Sequence, residues 1–170
     1  MIRQKGFTLP ELMVTVAILA ILSSAAVPAI RNIQSNIRIS STANELAAAL
    51  TDARARALST HRTVTLQSVT STSWATGWRT KFQTQMAADP AYFVNAPAAA
   101  GTTSITSNPT DKTVLFQGTG LVTKSDGTLL NMSYVICDSG KTGEKGITVQ
   151  VNQFGRVVVM RHTSATLCAS

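Results

Sequence analysis

Residues 5–31 read KGFTLPELMVTVAILAILSSAAVPAIR, and how this stretch is read decides the architecture of the whole chain. From Leu12 to Ile30 there are 19 residues without a charge. At about 1.5 Å per helical residue the run covers roughly 28 Å, close to the hydrocarbon thickness of a bilayer. Glu11 stands at its head. A carboxylate held in lipid costs roughly 2.5–3.5 kcal/mol, so an acid kept there implies a partner that neutralises it.

Two other readings of this region compete. Thr8-Leu9-Pro10-Glu11 fits a capping box, with Pro10 in the first turn where its missing N–H does no harm, so Glu11 also suits a helix start. Arg3, Lys5, the apolar run and Ser23-Ser24-Ala25-Ala26 resemble a cleaved secretory signal. Against that, Glu11 interrupts the border of the basic and apolar parts, the run is long for a signal core, and a helical pattern continues beyond it. A retained membrane helix is the better reading. Pro28 removes an internal hydrogen bond, which predicts a kink or local melting between about Ser24 and Pro28.

Past Arg31 the apolar residues become periodic. Ile30, Ile33 and Ile37 form a stripe that Ala43, Leu46, Ala47, Leu50, Ala53 and Ala57 continue at spacings of three and four. Arg31, Arg38, Glu45, Asp52, Arg54 and Arg56 fall on the other face. The pattern predicts one helix from about Leu9 to Ser59, roughly 75 Å long, whose second half packs on a domain while its first half projects.

After His61 the texture is that of strands. Val64 and Leu66 alternate with threonines, and Trp78 and Phe82 flank Thr80. Residues 83–112, rich in Ala, Thr, Asn and Pro, read as a long loop with at most a short strand near Tyr92 to Val94. Val114 to Phe116 and Leu129 to Cys137 read as strands, with Gly118 and Gly120 as a turn or bulge between them. Ile147 to Val151, a turn at Asn152 to Gly155, then Val157 and Val159 form the clearest hairpin. The expected fold class is α+β: one long helix on a C-terminal antiparallel β-sheet domain.

The 170 residues hold one modest domain beside the helix. Fifteen Lys+Arg against eight Asp+Glu give +7, or +5 without Arg3 and Lys5; this permits contact with polyanions without requiring it. Cys137 and Cys168 are either two buried thiols or a disulfide. If the helix exports the rest of the chain, the bond is the better reading, since it would anchor a fraying tail and contribute roughly 3–4 kcal/mol.

These features together resemble the type IV pilin-like proteins. Met1 to Gly6 followed by Phe7-Thr8-Leu9-Pro10-Glu11-Leu12 is similar to their class III leader. The resemblance implies that a prepilin peptidase cleaves between Gly6 and Phe7 and methylates the Phe7 amine. It also implies that Glu11 compensates the amine of a neighbouring subunit during assembly, and that Pro28 is the helix-breaking proline of pilins. Residues 1–6 would then be the leader, 7–30 the transmembrane and assembly helix, 31–60 the amphipathic helix, and 61–170 the periplasmic β-sheet domain.

Within that class the chain resembles the GspH/FimT family of minor pilins and pseudopilins. Glu45-Leu46, Asp52-Ala53-Arg54 with Ala57, the stretch Trp74 to Trp78, Leu115 to Gly120, Val135-Ile136-Cys137 and Phe154-Gly155-Arg156-Val157 carry this. Family members nearest the pilus proteins pair two such cysteines, which favours a minor pilin of a type IV pilus over a type II secretion pseudopilin. The partners implied are other minor and major pilins or pseudopilins, the prepilin peptidase and the inner membrane.

Some relatives bind double-stranded DNA through Gly-Arg-x-Arg; here Val158 replaces the second arginine. Arg156, Arg161, Lys141 and Lys145 remain as candidates for salt-sensitive phosphate contacts, a DNA-receptor role being the alternative function. In a regular strand, however, 156 and 161 point to opposite faces.

Ser139-Gly140-Lys141-Thr142 lacks both the leading glycine and the following helix of a phosphate loop. His61 and His162 have no further ligands at metal spacing, and no nucleophile–base pairing stands out. No cofactor, metal or catalytic residue is expected, and the chain reads as no enzyme.

Overall fold

The computed structural model describes residues 9–83, 94–140, 146–162 and 168, except the side chains of 25–29 and 94–95. One helix, α1 (Leu9–Thr60, 52 residues), precedes every described strand. These are β1 (Val64–Ser68), β2 (Trp78–Phe82), β3 (Val94–Asn95), β4 (Thr103–Asn108), β5 (Thr113–Phe116), β6 (Val122–Thr123), β7 (Met132–Asp138), β8 (Ile147–Val151) and β9 (Val157–Arg161). A 3-10 turn, Trp74–Thr76, lies between β1 and β2 and is capped by Ser73, whose hydroxyl accepts from the Ala75 N–H. The chain divides into two compact units, Met1–Ile37 and Arg38–Ser170.

In the first unit the helical backbone runs through Ser24–Pro28 without interruption, so the local melting expected there is absent. Proline costs one internal hydrogen bond, and the helix accommodates that loss without ending. Leu12, Met13, Val16, Leu19 and Leu22 are all exposed. The hydroxyls of the apolar run turn back onto their own helix: Thr15 donates to the Leu12 carbonyl (2.8 Å), Ser23 to Leu19 (2.7 Å) and Ser24 to Ile21 (2.7 Å). Those bonds leave the three hydroxyls with no need of water, as an apolar environment requires.

In the second unit α1 buries Ile39, Ala43, Leu46, Leu50, Ala53 and Ala57 against the inner faces of both sheets. Their alternating steps of four and three make one narrow stripe. Burying leucines such as Leu46 and Leu50 stabilises the fold by about 1.5–3 kcal/mol each. This corrects the expected stripe at its beginning. Ile30, Ile33 and Ile37 are exposed, and the buried apolar stripe begins only at Ile39. The helix ends at Thr60, and His61 follows with a φ of +53°, the left-handed step that turns the chain into β1.

The expected single sheet is two. One has the order β3-β2-β1-β5-β6 and the other β4-β7-β8-β9, every pairing antiparallel. Trp74 links them: its ring meets Tyr134 of β7 edge-on at 5.0 Å, and its indole N–H donates to the Asp111 carbonyl at 3.2 Å. Trp74 and Trp78 are fully buried core residues.

The loop expected over 83–112 contains β4, which pairs with β7 along its whole length. Its inward residues are Thr103, Ile105 and Ser107, so the alternation is real but mostly hydroxylic and lacks the apolar signal of a strand. β7 begins at Met132 rather than Leu129, which instead forms an isolated bridge with Thr123.

Candidate assembly and partner-binding sites

Glu11 lies in the first turn of α1, where a carboxylate is also favoured by the helix dipole. Gly6, Phe7 and Thr8 lie outside the described residues, as does the Pro28 side chain. Among residues with described side chains, no helix is long and apolar enough to cross a membrane. The run of 12–30 behind that expectation includes 25–29, whose side chains are not described.

Two arginines read as lying on the helix face away from the apolar stripe instead approach the sheet domain, and Arg38 is bonded to it. Arg38 donates to Asp138 at 2.8 Å, and Asp138, buried at the end of β7, also accepts from the Thr102 hydroxyl and from the Gly140 N–H at 3.0 Å. Arg54 runs across the loops after β5 and after β8. A Cβ on Gly155 would stand 2.5 Å from Arg54 Nε and 2.8 Å from the Gly120 carbonyl. Positions 38 and 54 are roughly 160° apart around the helix, one on each side of the buried stripe. Arg38 ends in the ion pair with Asp138, whereas Arg54 packs its side chain against the Gly155 and Gly120 backbone.

Gly155 also has a φ of +74°, so its side-chain-free backbone serves both the turn and the close approach of Arg54. Gly155→Ala is expected to destabilise the detergent-solubilised chain by about 2 kcal/mol, read as a lower urea midpoint at unchanged slope.

Cys137 and Cys168 form a disulfide that ties residue 168 to β7. Beside it, the C-terminal hairpin is organised by Asn152. Its side-chain oxygen accepts from the N–H groups of Phe154 (3.1 Å) and Arg156 (2.9 Å). Arg156 and Arg161 are both exposed but do not converge, and Arg161 donates to Ser40 of α1 at 2.8 Å. Lys141 and Lys145 lie outside the described residues.

Tyr134 has its phenol pushed well up by burial first and by the Asp111 charge second, and its hydroxyl contacts Met132 Sδ at 3.2 Å. It stays neutral and structural. Asp126 is held low by its hydrogen bond from Thr128 and sits fully in solvent. Among the described residues no group of three His, Cys, Asp or Glu side chains could hold a metal.

Arg38, Asp138 and Arg54 have placements that the sequence does not announce, whereas Gly120 and Gly155 are readable there as turn residues. The one signal available is that both arginines border the periodic stripe.

Both the sequence and the fold are matched by known proteins. The family described as Type II transport protein GspH covers residues 42–155, most of the β domain and the helix segment beneath it. The chain belongs to the GspH family. The prokaryotic N-terminal methylation motif matches residues 1–27 of this GspH-family chain. Its fold is that of the type IV minor pilin FimU of Pseudomonas aeruginosa, seen in two crystal forms. One matches with a TM-score of 0.62 and 21% identity over 78% of this chain and 98% of that one. The other matches with a TM-score of 0.57 and 22% identity over 74% and 98%. No curated protein matches it.

Proposed function

We propose that the chain is a non-catalytic minor pilin of a type IV pilus. A prepilin peptidase cleaves after Gly6 and methylates Phe7; residues 7–30 then anchor it in the inner membrane, with the β domain in the periplasm. On assembly the helix leaves lipid for a bundle of like subunits, where the amine of a neighbour neutralises Glu11.

The observation that carries this reading is the exposed apolar helix of the first unit. Its hydroxyls are satisfied internally and an acid opens it, so it suits both lipid and a helical bundle. The methylation motif over residues 1–27 supports the processing step.

Two variants expressed in cells test it. Gly6→Val is expected to leave an uncleaved precursor. Glu11→Ala is expected to be cleaved and membrane-bound yet missing from sheared pili, read by immunoblot. Normal incorporation of Glu11→Ala would reduce the acid to a helix cap and end the proposal.

The family's description as a type II transport protein favours a second reading, a secretion pseudopilin. Deleting the gene and scoring pili and secreted proteins side by side separates the two machines. A DNA-uptake role rests on the net +7 and on exposed Arg156 and Arg161, and their divergence gives it less support.

A further inference from the structure

The C-terminal hairpin ends in a sheet edge that no described strand covers. β9 is the outer strand of the four-stranded sheet. Asn152 donates its N–H to the Arg156 carbonyl, and His162 donates to the Gly146 carbonyl, on the register that pairs Gln150 with Val158 and Thr148 with Met160. Hydrogen-bonded residues alternate along an antiparallel ladder, so 156, 158, 160 and 162 bond towards β8. The N–H and C=O groups of Val157, Val159 and Arg161 therefore face away from it. Among the described residues, no strand or loop pairs with this edge.

The other described edges are protected in ways that β9 is not. β3 and β6 have two residues each, and β4 is lined with hydroxyl and amide residues and ends against Pro109. Short, polar and proline-flanked edges resist added strands. β9 opens with Val157-Val158-Val159-Met160, contains no proline and carries its one charge, Arg161, at its last position, and Val159 is 41% exposed.

We propose that the β9 edge takes an extended segment of another protein as a fifth strand, one carrying two acidic residues five positions apart. Arg156 and Arg161 bracket the edge at about 17 Å, taking roughly 3.3 Å per residue. Their odd separation puts them on opposite faces of the sheet. A phosphate path along one face cannot meet both. An added strand alternates in the same way, so acids five apart fall opposite the two arginines on matching faces.

A second copy of β9 fits poorly. Pairing two such strands in either direction gathers arginines from both chains at the same ends, and like charges across a ladder are unfavourable. The inference is independent of which filament the protein joins.

The test uses the full chain in detergent and the labelled peptide Thr-Glu-Val-Thr-Val-Thr-Asp-Thr. A version with lysines for the acids and a DNA duplex are the comparison ligands. Binding is followed by fluorescence anisotropy, and edge pairing by amide hydrogen exchange. The acidic peptide is expected to slow exchange at Val157, Val159 and Arg161, and the lysine peptide to bind at least about tenfold more weakly. Val159→Pro removes an outward N–H without touching the β8 ladder, so it is expected to weaken peptide binding about tenfold at an unchanged unfolding midpoint.

Should Val159→Pro unfold, Arg156→Glu with Arg161→Glu must instead reverse the preference towards the lysine peptide. No protection of the three amides, equal binding of both peptides, or protection by the duplex alone would overturn the proposal.

Discussion

Arg38→Met is expected to lower the stability of the folded domain by about 3–5 kcal/mol, because it takes the guanidinium away from a buried carboxylate. Asp138 is 3% exposed, and its other donors include one hydroxyl and one backbone N–H, neither of which carries a charge. At about 2–4 °C per kcal/mol for a chain of this size, the thermal midpoint should fall by roughly 10 °C, visible as early loss of the near-UV signal of the tryptophans.

The diagnostic comparison is the double variant Arg38→Met with Asp138→Asn. With both charges gone, no buried ion has lost its counter-charge, so the pair should be more stable than Arg38→Met by itself. A double variant as weak as the sum of the singles would mean that Arg38 contributes packing alone.

Trp74→Ala is expected to cost about 3–5 kcal/mol, the usual range for truncating a fully buried aromatic. The indole makes an edge-on ring contact with Tyr134, and its N–H satisfies the Asp111 carbonyl. Trp74→Phe keeps a ring in the space but loses the hydrogen bond and part of the indole's volume, so its cost should be smaller, roughly 1–3 kcal/mol. Urea unfolding of both variants checks this. Equal losses would show that the hydrogen bond, and not the ring, joins the two sheets.

These variants fall on residues that differ in how plainly the sequence announces them. The aromatic pair is readable as core, since large apolar rings in a strand-rich region usually lie inside. The ion pair is not: its partners are separated by 100 residues. A helical arginine beside polar neighbours has the same local pattern whether it faces water or a buried acid. β4 is hidden for a related reason, since a strand made of Thr, Ser and Asn receives its ladder from β7 and its apolar content from almost nowhere.

The hairpin of β8 and β9 is legible down to its turn, because valines at alternate positions and an Asn-to-Gly turn act within a few residues. The bond between Cys137 and Cys168 is expected from export and from the resemblance, and the structure places both at the end of β7.

Local order along the chain is enough to determine a helix-first α+β protein of the GspH family, with a charge-free run headed by Glu11 and a valine hairpin near its end. Periodicity, turn chemistry and the leader motif all act over a few residues, so the bare order of amino acids carries them. Only the tertiary structure decided which apolar stripe is buried, that the sheet divides in two, that Arg38 pairs with a buried acid 100 residues away, and that no described strand covers the outer edge of β9. Ile37 and Ile39 look alike in sequence, yet one is exposed and the other enclosed, because burial depends on what distant segments bring to the same place.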